Sequence, residues 1–256
     1  MTRQQNNART LDDIRAEIDQ IDDELHELIV RRTALARDVW NAKGGGVHDE
    51  ALAVLRPARE AAMLARLARR HRGDMPLATL WRIWRAFIIA NIRVQAPFDV
   101  FVGGNGASSE CWDLARGHFG FETGMHQLPS ADEAIAAARA GVGVAVLPMT
   151  DIGTCARRLV ECGLPVFAAL PQIGPLEAAP RALVVGDVSL EATGNDVTMA
   201  MLAISGAKVE DTIVAGGEDH RVIGKYDAPG KADSCIVALA GFAAATGKAP
   251  VRQSWR

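Results

Sequence analysis

Between Leu11 and Ala42, apolar residues stand at positions 11, 14, 18, 21, 25, 28, 35, 39 and 42. This alternation of threes and fours, held over about four heptads, aligns the apolar side chains only on an α-helix, and a seam this narrow is the pattern of a helix packed along one line. Gly44, Gly45 and Gly46 end the run as a breaker and loop. Pro57 opens a second helix, as a proline suited to the first helical position, that passes through Met63, Leu64 and Leu67 to Arg70. Gly73, Asp74 and Pro76 turn the chain. A third helix then carries Leu77, Leu80, Trp84, Ile88 and Ile92, and ends at Gln95 before Pro97.

Past Pro97 the period changes. FDVFVGG (98–104) reads as a strand with a glycine turn, Ser108 to Phe119 as a helix, ADEAIAAARAG as an alanine-rich helix and VGVAVLP (142–148) as a buried strand. A helix at 151–162, the strands PVFAAL and RALVVGD, a helix at 195–205 and the strands KVEDTIVAG and CIVALAG complete the expected order. Strands alternating with helices predict a mostly parallel α/β domain. The expected organisation is two domains, an all-α region over 1–97 and an α/β region over 98–256.

Composition narrows the function classes. Of 256 residues 49% are apolar and 23% charged, enough for a packed core, and a net charge of −3 gives no general attraction to nucleic acid or an anionic membrane. No run approaches the roughly 20 apolar residues of a membrane span, and the polar first ten residues lack a signal core, so a cytoplasmic protein is expected. The four cysteines show no CxxC pairing and read as small buried residues in a reducing compartment. No metal or nucleophile constellation emerges among the six histidines, so neither a metal nor a cofactor is expected.

Cations interrupt the first seam. Arg32 stands four residues beyond Leu28 and three before Leu35, Lys43 lies four beyond Val39, and Arg15 lies four beyond Leu11. A buried cation needs a counter-charge, from the protein or from a ligand. One such residue alone reads as a snorkelling side chain or a structural ion pair; three on one helix favour a ligand. Arg32 and Lys43 are separated by about 16 Å along the axis, a span that two long side chains close on one small molecule, whereas Arg15 and Arg32 are about 25 Å apart. Two copies paired antiparallel would bring Arg15 of one to the Arg32–Lys43 site of the other, which predicts a homodimer. On the third helix Asn91 and Gln95 continue the apolar stripe, and on the second Glu60 shares a face with Met63, Leu64 and Leu67. These groups form either a structural network or, with the cations, a site for a compact dianion.

The segment LDDIRAEIDQIDDELHELIVRRTALARDVWNAK resembles the first helix of the all-helical chorismate mutases, RPAREAAMLARL their second and LWRIWRAFIIANIRVQ their third. The resemblance covers residues 9–96 and implies an intertwined dimer of three-helix chains, acting in aromatic amino-acid biosynthesis (the shikimate pathway), that converts chorismate to prephenate. It implies that Arg15 reaches one carboxylate across the dimer and that Arg32 binds a carboxylate in its own subunit. Lys43 would then contact a carboxylate and the ether oxygen of the breaking bond, Gln95 would donate to that same oxygen, and Glu60 would accept from the ring hydroxyl. Arg59, of the Arg-Glu pair, joins Arg56 and Asn91 as substrate-binding positions. Asn91 replaces a small hydroxyl residue of the family and Arg56 an acidic one, departures that bear on hydroxyl recognition. The reaction is unimolecular and pericyclic, so positioning and stabilisation of charge on the ether oxygen carry the catalysis.

Residues 98–256 faintly resemble prephenate dehydratase, which implies a periplasmic-binding-protein-like α/β fold. GGNGASSE (103–110), AVLPMTDIG (145–153) and PRALVV (180–185) stand at its motifs, but Thr150, Asp151 and Ile152 replace Glu-Asn-Ser and Pro180 replaces the catalytic threonine, so an inactive domain is expected. It is either a ligand-binding or regulatory module, with the glycine turn offering N–H groups to an anion, or a scaffold for the dimer. The rival activities are an isochorismate pyruvate lyase on the same scaffold and a non-catalytic metabolite-binding dimer.

Overall fold

The structure, a computed structural model, describes residues 9–42, 52–104, 109–141, 143–172, 180–193, 197–203, 212–215, 218–226 and 234–240. The chain divides into two compact units, Met1–His48 and Asp49–Arg256. The described residues of the first hold one helix, α1 (Leu11–Ala42). Thr10 and Asp13 start it reciprocally: the Thr10 hydroxyl accepts from the Asp13 N–H at 3.2 Å, and the Asp13 carboxylate accepts from the Thr10 N–H at 2.9 Å. These bonds hold the Asp13 carboxyl below its ordinary pKa. No residue of α1 is buried, and Leu11, Ile14, Ile18, Ile21, Leu25, Leu28, Leu35 and Val39 are between 40% and 61% exposed. The predicted helix is therefore present with its seam uncovered.

The second unit begins with α2 (Pro57–Arg70) and α3 (Leu77–Gln95), whose bounds match those read from the sequence. Then follow β1 (Asp99–Gly103), α4 (Ser109–Phe119), β2 (Gly124–Leu128), α5 (Ala131–Ala140), β3 (Gly143–Pro148), a single 3-10 turn, α6 (Ile152–Cys162), β4 (Val166–Leu170) and β5 (Ala182–Val185). The five strands form one sheet in the order β2-β1-β3-β5-β4. β1 runs parallel to β2 and β3, while β5 is antiparallel to both β3 and β4. Ser130 caps α5 by accepting from the Glu133 N–H at 3.1 Å. Gly120 (φ 79°) and Gly163 (φ 68°) adopt the left-handed conformation that stops α4 and α6.

Strand alternation divides the core between the two faces of this sheet. Val100, Val102, Val144, Val146, Ala182 and Val184 point to one face, where they meet Leu64 of α2, Ile88, Ile89 and Ile92 of α3, and Ala115 and Phe119 of α4. Ala145, Leu147, Leu183 and Val185 point to the other, against α5 and α6. Helices α2 and α3 thus share a core with the sheet.

A second sheet, β6 (Val197–Ala203), β9 (Ser234–Ala240), β8 (Glu218–Tyr226) and β7 (Thr212–Ala215), is antiparallel throughout. It corrects two expectations. The region after Pro97 is mixed rather than mostly parallel, and the helix expected at 195–205 is strand β6. Its Met, Ala and Leu residues favour a helix, but seven consecutive residues pair with β9, and ladder formation overrides local propensity. The two-faced core makes a direct prediction. Leu147→Ala, at a fully buried position, lowers the unfolding free energy by about 2–5 kcal/mol in urea denaturation; a loss below about 1 kcal/mol contradicts the α5–α6 face described.

Candidate functional site

The residues singled out from the sequence fall in both units. In the first, Arg15 is exposed and 3.5 Å from Asp12 one turn earlier. Arg32 is half-buried and has no ion-pair partner among the described residues. Lys43 lies outside the described residues.

In the second unit, Arg56 precedes α2 and pairs with Glu191 at 3.2 Å, both partly exposed. Arg59 is exposed on α2. Asn91 and Gln95 occur one turn apart on α3, and both donate along their own helix. Asn91 Nδ2 bonds the Phe87 carbonyl at 2.6 Å, and Gln95 Nε2 bonds the Asn91 carbonyl at 3.0 Å. Asn91 Oδ1 is buried and has no hydrogen-bond partner among the described residues. An orphaned buried acceptor costs about 1–3 kcal/mol, and a ligand hydroxyl or ammonium is the kind of group that satisfies it.

Glu60 is not an isolated carboxylate. It forms an ion pair with Arg85 of α3, a residue that the sequence reading missed. Arg85 is 3% exposed. Its Nε donates to the His118 carbonyl at 2.9 Å, and its Nη2 lies 2.7 Å from His118 Nε2. The guanidinium also sits 5.8 Å from the Phe119 ring centre. A signal for Arg85 existed: Trp81, Arg85, Ile88, Ile89 and Ile92 recur in threes and fours, as do the residues around Arg32. Burial lowers the Arg85 pKa, and the Glu60 charge opposes that shift. Burial first, then the Arg85 cation, push His118 well below its ordinary pKa of 6.5, so its ring is neutral and accepts from the guanidinium.

At the glycine turn that the sequence placed near an anion site, residues 105–108 lie outside the described residues. Beside it Arg181 pairs with Glu110, so the cation there already has a counter-charge. Asp151 stands close by, its Oδ2 3.8 Å from the Cβ position of Gly104. Among the described residues no group of His, Cys, Asp and Glu could hold a metal ion, and no helix is long and apolar enough to cross a membrane.

Two outcomes follow from this geometry. Replacing Asn91 with leucine removes the orphaned carbonyl and raises the unfolding free energy by about 1 kcal/mol; an unchanged or lower value would show that the carbonyl is satisfied in solution. His118, neutral when folded, protonates below its ordinary pKa once unfolded. Its stabilising contribution is therefore present above about pH 6.5 and lost on acidification, by up to about 1.4 kcal/mol per pH unit. The stability of the parent chain relative to His118→Gln, read by urea denaturation, should fall by about 2 kcal/mol between pH 6.5 and pH 5. A constant difference would show that His118 carries no such linkage.

Comparison with known proteins gives the geometry a context. The family model described as Chorismate mutase type II matches residues 14–96. A bifunctional chorismate mutase/prephenate dehydratase of Neisseria gonorrhoeae is 28% identical over 131 residues, which cover 49% of this chain and 34% of the relative. The chain thus spans about a third of the length of the curated relative it matches. No solved structure matches. The residues matched by that family model carry most of α1 and all of α2 and α3.

Proposed function

We propose that this chain is a chorismate mutase of aromatic amino-acid biosynthesis, acting in the cytoplasm and converting chorismate to prephenate without cofactor or metal. The observation that carries the reading is Arg32. It is half-buried on an apolar seam without a counter-charge among the described residues, inside a segment matched by the mutase family. A dicarboxylate substrate supplies the missing anion. In this reading Arg15 and Arg32 take the two carboxylates, Lys43 and Gln95 donate to the ether oxygen, and Glu60 accepts from the ring hydroxyl. Arg56, Arg59 and Asn91 complete the contacts, Asn91 through its unpartnered Oδ1. Donors fixed before the bond breaks stabilise the developing charge without reorganising.

The active species is a homodimer built on α1. A helix with its whole seam exposed is not stable alone, and its charges are arranged for antiparallel self-pairing. Residues 11–27 hold eight carboxylates and one arginine, whereas residues 31–42 hold three arginines and one aspartate. With two such helices centred on each other, Arg15 of one copy falls opposite Asp38 of the other, between Arg32 and Lys43. Arg15 of each copy thereby reaches the Arg32–Lys43 site of the other.

The mutase region extends to Pro97 in this reading, and residues 98–256 form a periplasmic-binding-protein-like domain inactive as a dehydratase. Pro180 offers no hydroxyl to protonate a leaving group, and Arg181 is engaged by Glu110.

Purified chain incubated with chorismate should yield prephenate by NMR. Arg32→Ala should lower kcat/KM at least 100-fold, about 2.7 kcal/mol of transition-state binding, with the dimer intact by light scattering. Release of pyruvate from isochorismate without prephenate from chorismate assigns the chain as a lyase instead; ligand-dependent thermal stabilisation without turnover of either makes it a sensor.

A further inference from the structure

Arg85 carries a full charge in a site 3% exposed to solvent, and each of its three guanidinium nitrogens meets a polar partner. Nε and Nη2 are both taken by one residue, His118 at the end of α4, through its carbonyl at 2.9 Å and its ring nitrogen at 2.7 Å. The Phe119 ring lies beneath the same group. A guanidinium is planar, so fixing two of its nitrogens fixes the direction of the third. That third nitrogen, Nη1, holds Glu60 through Oε2. The other carboxylate oxygen, Oε1, has no hydrogen-bond partner among the described residues.

His118 can serve this way only as a neutral ring with its proton on Nδ1, leaving Nε2 to accept. Burial enforces that state, since an imidazolium there would lose water and face the guanidinium. The orientation of Glu60 thus originates in α4, which lies beyond Pro97 in the α/β region.

We propose that His118 and Arg85 are positioning residues that hold Glu60 with one oxygen anchored and the other free for the substrate hydroxyl, so that the α/β region sets the geometry of a mutase carboxylate. This rests on the mutase reading above. It gives the region beyond Pro97 a role in the reaction that requires no ligand or chemistry of its own. A lysine here keeps the charge but loses the fixed direction towards Glu60, because its single nitrogen cannot span both His118 acceptors and Glu60.

The test is a double-mutant cycle in the full-length chain with chorismate as substrate. His118→Phe keeps the ring volume and removes the acceptor; His118→Gln restores an acceptor. If Glu60 is held through Arg85, His118→Phe lowers kcat about 10-fold with little change in KM, and His118→Gln recovers most of the loss. In a Glu60→Gln background, His118→Phe then causes no further decrease, because the group it acts through is already gone. A merely structural role gives the opposite result, with equal effects of His118→Phe in both backgrounds. Full kcat in His118→Phe, or an equal additional loss in Glu60→Gln, overturns the proposal. If His118→Phe does not fold, Arg85→Lys takes its place in the cycle with the same two outcomes. The parent reading fails separately: it falls if the unaltered chain forms no prephenate, or if Glu60→Gln is as active as the parent, and the positioning role falls with it. Coupling between Glu60 and His118 in urea denaturation, measured on the same variants, then shows whether the network persists as a structural one.

Discussion

Keeping Arg85 charged inside the protein is the constraint around which the helical face of the main sheet is arranged. An unpaired guanidinium in that environment would cost several kcal/mol, so α2 must supply Glu60 and the end of α4 must supply both a carbonyl and a neutral imidazole. The three helices are registered by charge before the fit of Leu64, Ile88, Ile89, Ile92 and Phe119 refines their approach. Apolar packing is tolerant of small slides; a bidentate grip on one residue is not. Phe98 and Phe119, with ring centres 5.8 Å apart and nearly perpendicular, close the apolar wall beside it.

This arrangement separates two meanings of a domain boundary. By family resemblance the first region runs through α3, and Pro97 is its edge. By packing, α2 and α3 lie on the same core as β1, β3 and β5, and the compact units divide between His48 and Asp49. A helix pair whose apolar face is wide enough to bury one side on a sheet does not need a third helix to complete its core. The apolar residues on α2 and α3 that read as a bundle interior are equally suited to cover Val100, Val102, Val144 and Val146. Periodicity records which face is apolar and carries no record of what that face meets.

Where periodicity was long, the chain was legible almost to the residue. The bounds of α1, α2 and α3 follow from Leu-Ile spacing, Pro57 and Pro97, and the strands around residues 100, 145 and 183 follow from short valine-rich apolar runs. Segments governed by pairing were harder. Val197–Ala203 is rich in helix formers yet lies in a ladder. β8 opens on four polar residues, Glu218 to Arg221, and β2, with no buried position, offers little apolar signal. For the candidate site, Arg32, Glu60, Asn91 and Gln95 stood out as polar groups on apolar stripes. Arg85 obeys the same rule, but with arginines at 82, 85 and 93 along α3 it does not stand out from them. His118 had no signal at all, since its role depends on a contact between residues 33 positions apart.

The bare seam of α1 has a thermodynamic consequence of its own. Eight aliphatic side chains left at 40–61% exposure make the helix's persistence a function of whatever covers it. Covering by another molecule enters the folding equilibrium by mass action, so each tenfold dilution of that molecule, well above its dissociation constant, removes about 1.4 kcal/mol from the apparent stability. In the dimer proposed above that molecule is a second copy of the chain, so concentration acts on the helix in the same sense as temperature.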